Sequence, residues 1–132
     1  MSTYFWVALG GAIGSVARFW CSGMVANTFG QTFPWGTLVV NVVGSFIIGF
    51  TATLTGPDGR LFVPSDARIF VMVGFCGGFT TFSSFSLQTL TLVQDREWLQ
   101  AGGNIVLSFV LCMISVWLGH IAAASLNQLL GD

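Results

Sequence analysis

Four long apolar stretches divide the chain, each bounded by a short polar or turn-rich segment. Spanning about 30 Å of hydrocarbon takes about 20 helical residues. Four stretches qualify, roughly residues 4–28, 35–55, 66–93 and 98–127. The first ends before Phe29-Gly30-Gln31-Thr32-Phe33-Pro34, and the second is stopped by Gly56-Pro57-Asp58-Gly59. Asp95, Arg96 and Glu97 separate the third from the fourth. Apolar residues run continuously instead of alternating with polar ones, which favours helices over a membrane β-barrel. The pattern predicts an all-α membrane protein, a single domain over residues 1–132 with four transmembrane helices.

Inside the stretches the polar positions repeat at helical spacing. Gly10, Gly14 and Arg18 recur every four residues, with Gly11 and Ser15 in a parallel row. Such rows of small residues let helix backbones approach closely. Thr37, Asn41 and Ser45 share one face of the second span, beside Gly44. A buried Asn brings two N–H donors and one acceptor, so Asn41 reads either as interhelical glue or as a donor lining a pathway. Asn104, Ser108 and Cys112 repeat every four residues in the fourth span, followed by Ser115 and Gly119. They read as a polar track or as a packing seam.

The third span breaks its own pattern. Gly77-Gly78 and then Thr80-Thr81 and Ser83-Ser84 fall in its middle. Glycine inside a helix costs about 1 kcal/mol relative to alanine, so a helix broken at mid-membrane is expected. Broken helices at that depth free backbone carbonyls for ions. Here Gly77 and Thr80 are placed to offer theirs to a cation. Beyond the break Phe82 and Phe85 share a face, flanked by Thr81, Ser83, Ser84 and Gln88.

Composition supports a membrane setting. The chain of 132 residues is 54% hydrophobic and 7% charged, with a mean hydropathy of +0.82. Soluble domains carry about 25% charged residues. Four arginines, no lysine and a net charge of −1 leave no basic face for nucleic acid. Arg60 and Arg68 oppose Arg96 across the spans. That bias is compatible with insertion both ways round, or with an orientation the loops do not specify. No basic residue precedes Arg18, so the first segment reads as a retained span and not a cleaved leader. Cys21, Cys76 and Cys112 lie in apolar runs without CxxC spacing and read as reduced packing residues.

The chemistry available is narrow. No span holds an Asp or Glu apart from the Asp66 flank, which speaks against proton-coupled exchange and against the small multidrug transporters with their first-span Glu. No nucleophile stands with a base, His120 is the single histidine, and no enzyme activity is expected. Arg18 alone is charged well inside a span, where an unpaired guanidinium costs from about 2.5 kcal/mol upward. It snorkels to a vestibule or attracts an anion. What remains are amides, hydroxyls and phenyl edges. Phenyl edges carry positive quadrupole character, and closely spaced donors replace an anion's hydration shell. Four spans leave little room for a pathway, so transport implies a closed homo-oligomer, most simply a dimer.

At this point the chain resembles the small fluoride channels of the Fluc/CrcB family. The resemblance rests on Gly10, Gly11, Gly14 and Arg18 in the first span. It continues with Trp35-Gly36-Thr37-Leu38 through Asn41 and Gly44 in the second, and with Gly74-Phe75-x-Gly77-Gly78-Phe79-Thr80-Thr81-Phe82-Ser83-Ser84-Phe85-Ser86 in the third. It implies an antiparallel, dual-topology homodimer with two pores, exporting fluoride passively across the bacterial inner membrane. It implies a pore built from Asn41, Phe82, Phe85, Thr81, Ser83 or Ser84, and Ser108, with Arg18 at the vestibule. It also implies a structural sodium ion at the dimer centre, held by the Gly77 and Thr80 carbonyls of each subunit. Gln88 stands where some members carry Glu, and Asn104 where some carry Tyr; both keep a hydrogen-bonding group. The competing readings are a non-conducting membrane assembly subunit and a small four-span transporter of another substrate.

Overall fold

The computed structural model describes residues 2–131, and the described residues are helical apart from short connections. Helix α1 runs Ser2–Phe29 and α2 runs Trp35–Leu54. The third arm is a composite. Helix α3 (Ser65–Ile69) passes into a π-helical turn (Phe70–Phe75) and then α4 (Cys76–Phe79). After Thr80 and Thr81 the chain resumes as α5, Phe82–Gln94. Helix α6, Trp98–Gly131, closes the chain. The helices begin and end within a few residues of the apolar stretches in the sequence. The π turn is absent from the sequence reading, because no side-chain pattern distinguishes it from an α turn.

Three of the four arms are long and apolar enough to cross a membrane: Trp35–Leu54, Ser65–Gln94 and Trp98–Gly131. Helix α1 has the length, but its small and polar residues dilute its apolar character. Large apolar side chains such as Tyr4, Phe19, Phe62, Leu99 and Phe109 point outward, as the bilayer, an apolar solvent, permits.

The helices pack in two pairs. Helix α2 lies along α6, and α1 lies along the π turn and α4. Glycines set both contacts. A methyl group at Gly14 would strike the Phe75 carbonyl, and one at Gly10 the Phe70 carbonyl. On the other pair, methyl groups at Gly49 and Gly119 would strike the carbonyls of Val116 and Phe46. The glycine row of α1 is thus a packing surface. Replacing Gly14 by valine is expected to force backbones apart at a cost of about 1–3 kcal/mol. Thermal unfolding of the purified protein in detergent checks this, and an unchanged midpoint would sink it.

Polar bonds pin the second pair. Ser115 Oγ donates to the Val42 carbonyl at 2.6 Å. Near the far end Thr53 Oγ1 lies 2.7 Å from His120 Nδ1, and Asn127 Nδ2 donates to the Thr53 carbonyl at 3.3 Å. His120 is therefore a structural partner of α2. In contrast, α5 touches α6 only thinly.

Candidate functional site

The break in the third arm is two residues long, and both are extended. Thr80 has φ −89° and ψ 158°, and Thr81 has φ −152° and ψ 110°. Backbone groups freed at such a break need partners, because hydrocarbon offers none. Asn41 supplies two of them. Its Oδ1 accepts from the Thr81 N–H at 2.7 Å, and its Nδ2 donates to the Thr81 carbonyl at 3.1 Å. Thr81 then caps α5, its Oγ1 accepting from the Ser84 N–H at 3.1 Å. Thr80 turns its own hydroxyl back to the Cys76 carbonyl at 2.8 Å. Gly44 admits this arrangement, because a methyl group there would overlap the Thr80 side chain.

Arg18 reaches the break from α1, its Nε donating to the Gly78 carbonyl at 2.9 Å. In an unbroken helix that carbonyl would accept from residue 82. The lone charge inside the first arm is thus spent on a backbone acceptor, a partner that the sequence reading did not consider.

Two carbonyls lose their helical donors by the same rearrangement. The Thr81 N–H, which would serve Gly77, goes to Asn41, and the Ser84 N–H, which would serve Thr80, goes to Thr81. These are the two residues expected to offer oxygens to a cation. The bare face of Gly77 is open as well, since a methyl group there meets no atom within 4 Å. Neutral carbonyl oxygens suit a hard monovalent cation, so the residues present fit such an ion.

Beside the break lies an open cavity of about 580 Å³. Asn41, Thr81, Phe82, Phe85 and Ser108 all line it, and so do Gly77 and Thr80. The two phenyl rings sit 5.4 Å apart between centroids, tilted by 49°. Phe82 is 79% exposed, so the chain leaves its ring uncovered. Ser83, Ser84 and Arg18 stand outside the lining. Ser83 Oγ lies 3.3 Å from Thr81 Oγ1, which places it at the margin. Cys76 and Cys112 also line the cavity, and both are free thiols.

Thr89 lies outside the polar rows that residue spacing marks. Its hydroxyl accepts from Asn104 Nδ2 at 2.9 Å. Its signal was present: it follows Phe85 by one helical turn, and so could return its proton to the Phe85 carbonyl.

Interrupted helix, freed carbonyls and a cavity walled by rings and hydroxyls together define a small multi-pass membrane protein with an ion-conduction type of architecture. The chain belongs to the CrcB family, whose profile, described as "CrcB-like protein, Camphor Resistance (CrcB)", matches residues 5–120. It is 67% identical over 132 residues to the fluoride-specific ion channel FluC of Opitutus terrae, covering 100% of both chains. It is 62% identical over 126 residues to the protein of that name from Rhodospirillum rubrum, covering 96% of this chain and 98% of the relative. The Paramagnetospirillum magneticum protein of the same name is 61% identical over 128 residues, covering 97% and 100%. These relatives are named as ion channels, not as enzymes.

Proposed function

We propose that the chain is a fluoride-selective channel that lets fluoride leave the cytoplasm passively across the bacterial inner membrane. The observation that carries this reading is the meeting of Phe82, Phe85, Asn41 and Ser108 around one cavity at the helix break. A small hard anion gives up its water only where donors follow one another closely. Hydroxyls, an amide N–H and the positive edges of phenyl rings are such a series, with no buried carboxylate among the described residues to repel the ion. Near-identity in length with relatives named fluoride-specific channels supports the choice of anion.

The working unit in this reading is an antiparallel, dual-topology homodimer in which each chain spans the membrane four times. The uncovered ring of Phe82 and the thin α5–α6 contact support it, because a second copy would complete the wall. A sodium ion at the dimer centre takes the Gly77 and Thr80 carbonyls of both copies; it is structural, and its charge favours anions nearby. Arg18 acts at the vestibule by holding the Gly78 carbonyl while its remaining N–H groups stay available.

The test is efflux from liposomes loaded with KF or KCl and released by valinomycin. Fast fluoride release with chloride retained is the expected result. Silence for both ions from a folded dimer would favour an assembly subunit instead. A crystal structure of protein purified in thallium salts examines the dimer and the cation together: anomalous density away from the Gly77 and Thr80 carbonyls would reject that site.

A further inference from the structure

Asn104 is 1% exposed and, with Val40, ranks as the largest fully buried side chain among the described residues. Its amide makes two bonds that lead in different directions. Ser108 Oγ donates to Asn104 Oδ1 at 3.3 Å, and Asn104 Nδ2 donates to Thr89 Oγ1 at 2.9 Å. Thr89 Oγ1 donates its proton to the Phe85 carbonyl at 2.7 Å. A hydroxyl has one proton, so Thr89 can only accept from Asn104, and this fixes which way the amide points. Ser108 on α6 and Phe85 on α5 both line the cavity. Three hydrogen bonds in series therefore join two of its walls.

The tie matters because little else holds these walls together. Helix α5 packs thinly on α6, and its buried apolar side chain, Leu92, lies near its far end. Asn104 itself does not line the cavity. The repeat Asn104, Ser108, Cys112 thus divides: the last two face the open space, and the first stands behind them.

We propose that Asn104 and Thr89 are positioning residues of the anion pathway, setting the separation between the Phe85 turn and Ser108 without touching the ion. The proposal rests on the channel reading above. Its test combines fluoride efflux with amide hydrogen exchange of the dimer in detergent, a measurement that needs no fluoride. Thr89→Val and Asn104→Leu are each expected to slow efflux about tenfold, as loss of one buried hydrogen bond implies. Thr89→Ser, which keeps the hydroxyl, is expected to stay within about threefold of the parent by the same reasoning. The double variant is expected to be about as slow as the slower single one, because the two residues act through one chain of bonds. Amides of residues 85–89 are expected to exchange faster in both single variants, while those of α2 are unchanged.

Equal losses in Thr89→Val and Thr89→Ser would overturn the proposal, since the hydroxyl would then be irrelevant. So would multiplicative losses in the double variant. Slow efflux with unaltered exchange would make Thr89 an ion-contacting group, and faster exchange with normal efflux would remove any role in conduction. If the parent releases no fluoride, the channel reading fails, and the exchange data alone decide whether the bonds hold α5 to α6.

Discussion

Fluoride efflux is expected to fall by a factor on the order of a hundred or more when either Phe82 or Phe85 becomes isoleucine, equivalent to about 2.8 kcal/mol on the barrier. Burying an ion away from water costs several kcal/mol even after the protein relaxes, so each compensating contact weighs heavily. The rings sit 5.4 Å apart and both face the cavity. An anion in the cavity beside them that meets their edges meets partial positive charge. Isoleucine keeps apolar bulk and loses that edge. Phe82 is largely uncovered in the chain, so its replacement leaves the packed core alone. The variants should elute and unfold like the parent while efflux is nearly lost. Normal efflux from both would show that the pathway runs elsewhere.

Asn41 is expected to separate conduction from stability. Asn41→Leu removes both bonds to Thr81 and leaves an N–H and a carbonyl unpaired at depth. Each such group costs about 1–3 kcal/mol, so unfolding temperature and efflux should both drop sharply. Asn41→Asp keeps an acceptor for the Thr81 N–H and gives up the donor to the Thr81 carbonyl. Its stability loss should be the smaller of the two. Its efflux should nevertheless be lost, because a carboxylate about 4 Å from an anion repels it by about 4 kcal/mol at an effective dielectric of 20. Paired melting and efflux measurements on the two variants decide the matter. Equal stability with equal efflux would show that Asn41 is dispensable glue.

Much of this was readable from residue order. Unbroken apolar runs gave the helices, and Gly77-Gly78 followed by Thr80-Thr81 marked where the third arm fails. The freed oxygens of Gly77 and Thr80 follow from that position alone. The partners of the break were harder to see. Nothing local tells Asn41 to address Thr81, forty residues away, or Arg18 to address Gly78, sixty residues away; both depend on how α1 and α2 seat against the third arm. The buried setting of Asn104 was hidden for the same reason. Spacing along one helix shows which residues share a face, and only packing shows whether that face meets open space or another helix.

The break also bears on how the chain enters the membrane. Three of its backbone groups are satisfied by Arg18 from α1 and Asn41 from α2, and unsatisfied groups in hydrocarbon cost several kcal/mol each. Taken alone, the third arm is long and apolar enough to span, but those groups at its break would stay unpaired. Both of its helpers precede it in the chain, so on synthesis from the N-terminus they are made before it emerges. Chain order thus supplies the interrupted segment with its hydrogen-bonding partners at the moment it must leave water, and a rearranged gene that moved the third arm to the front would deprive it of them.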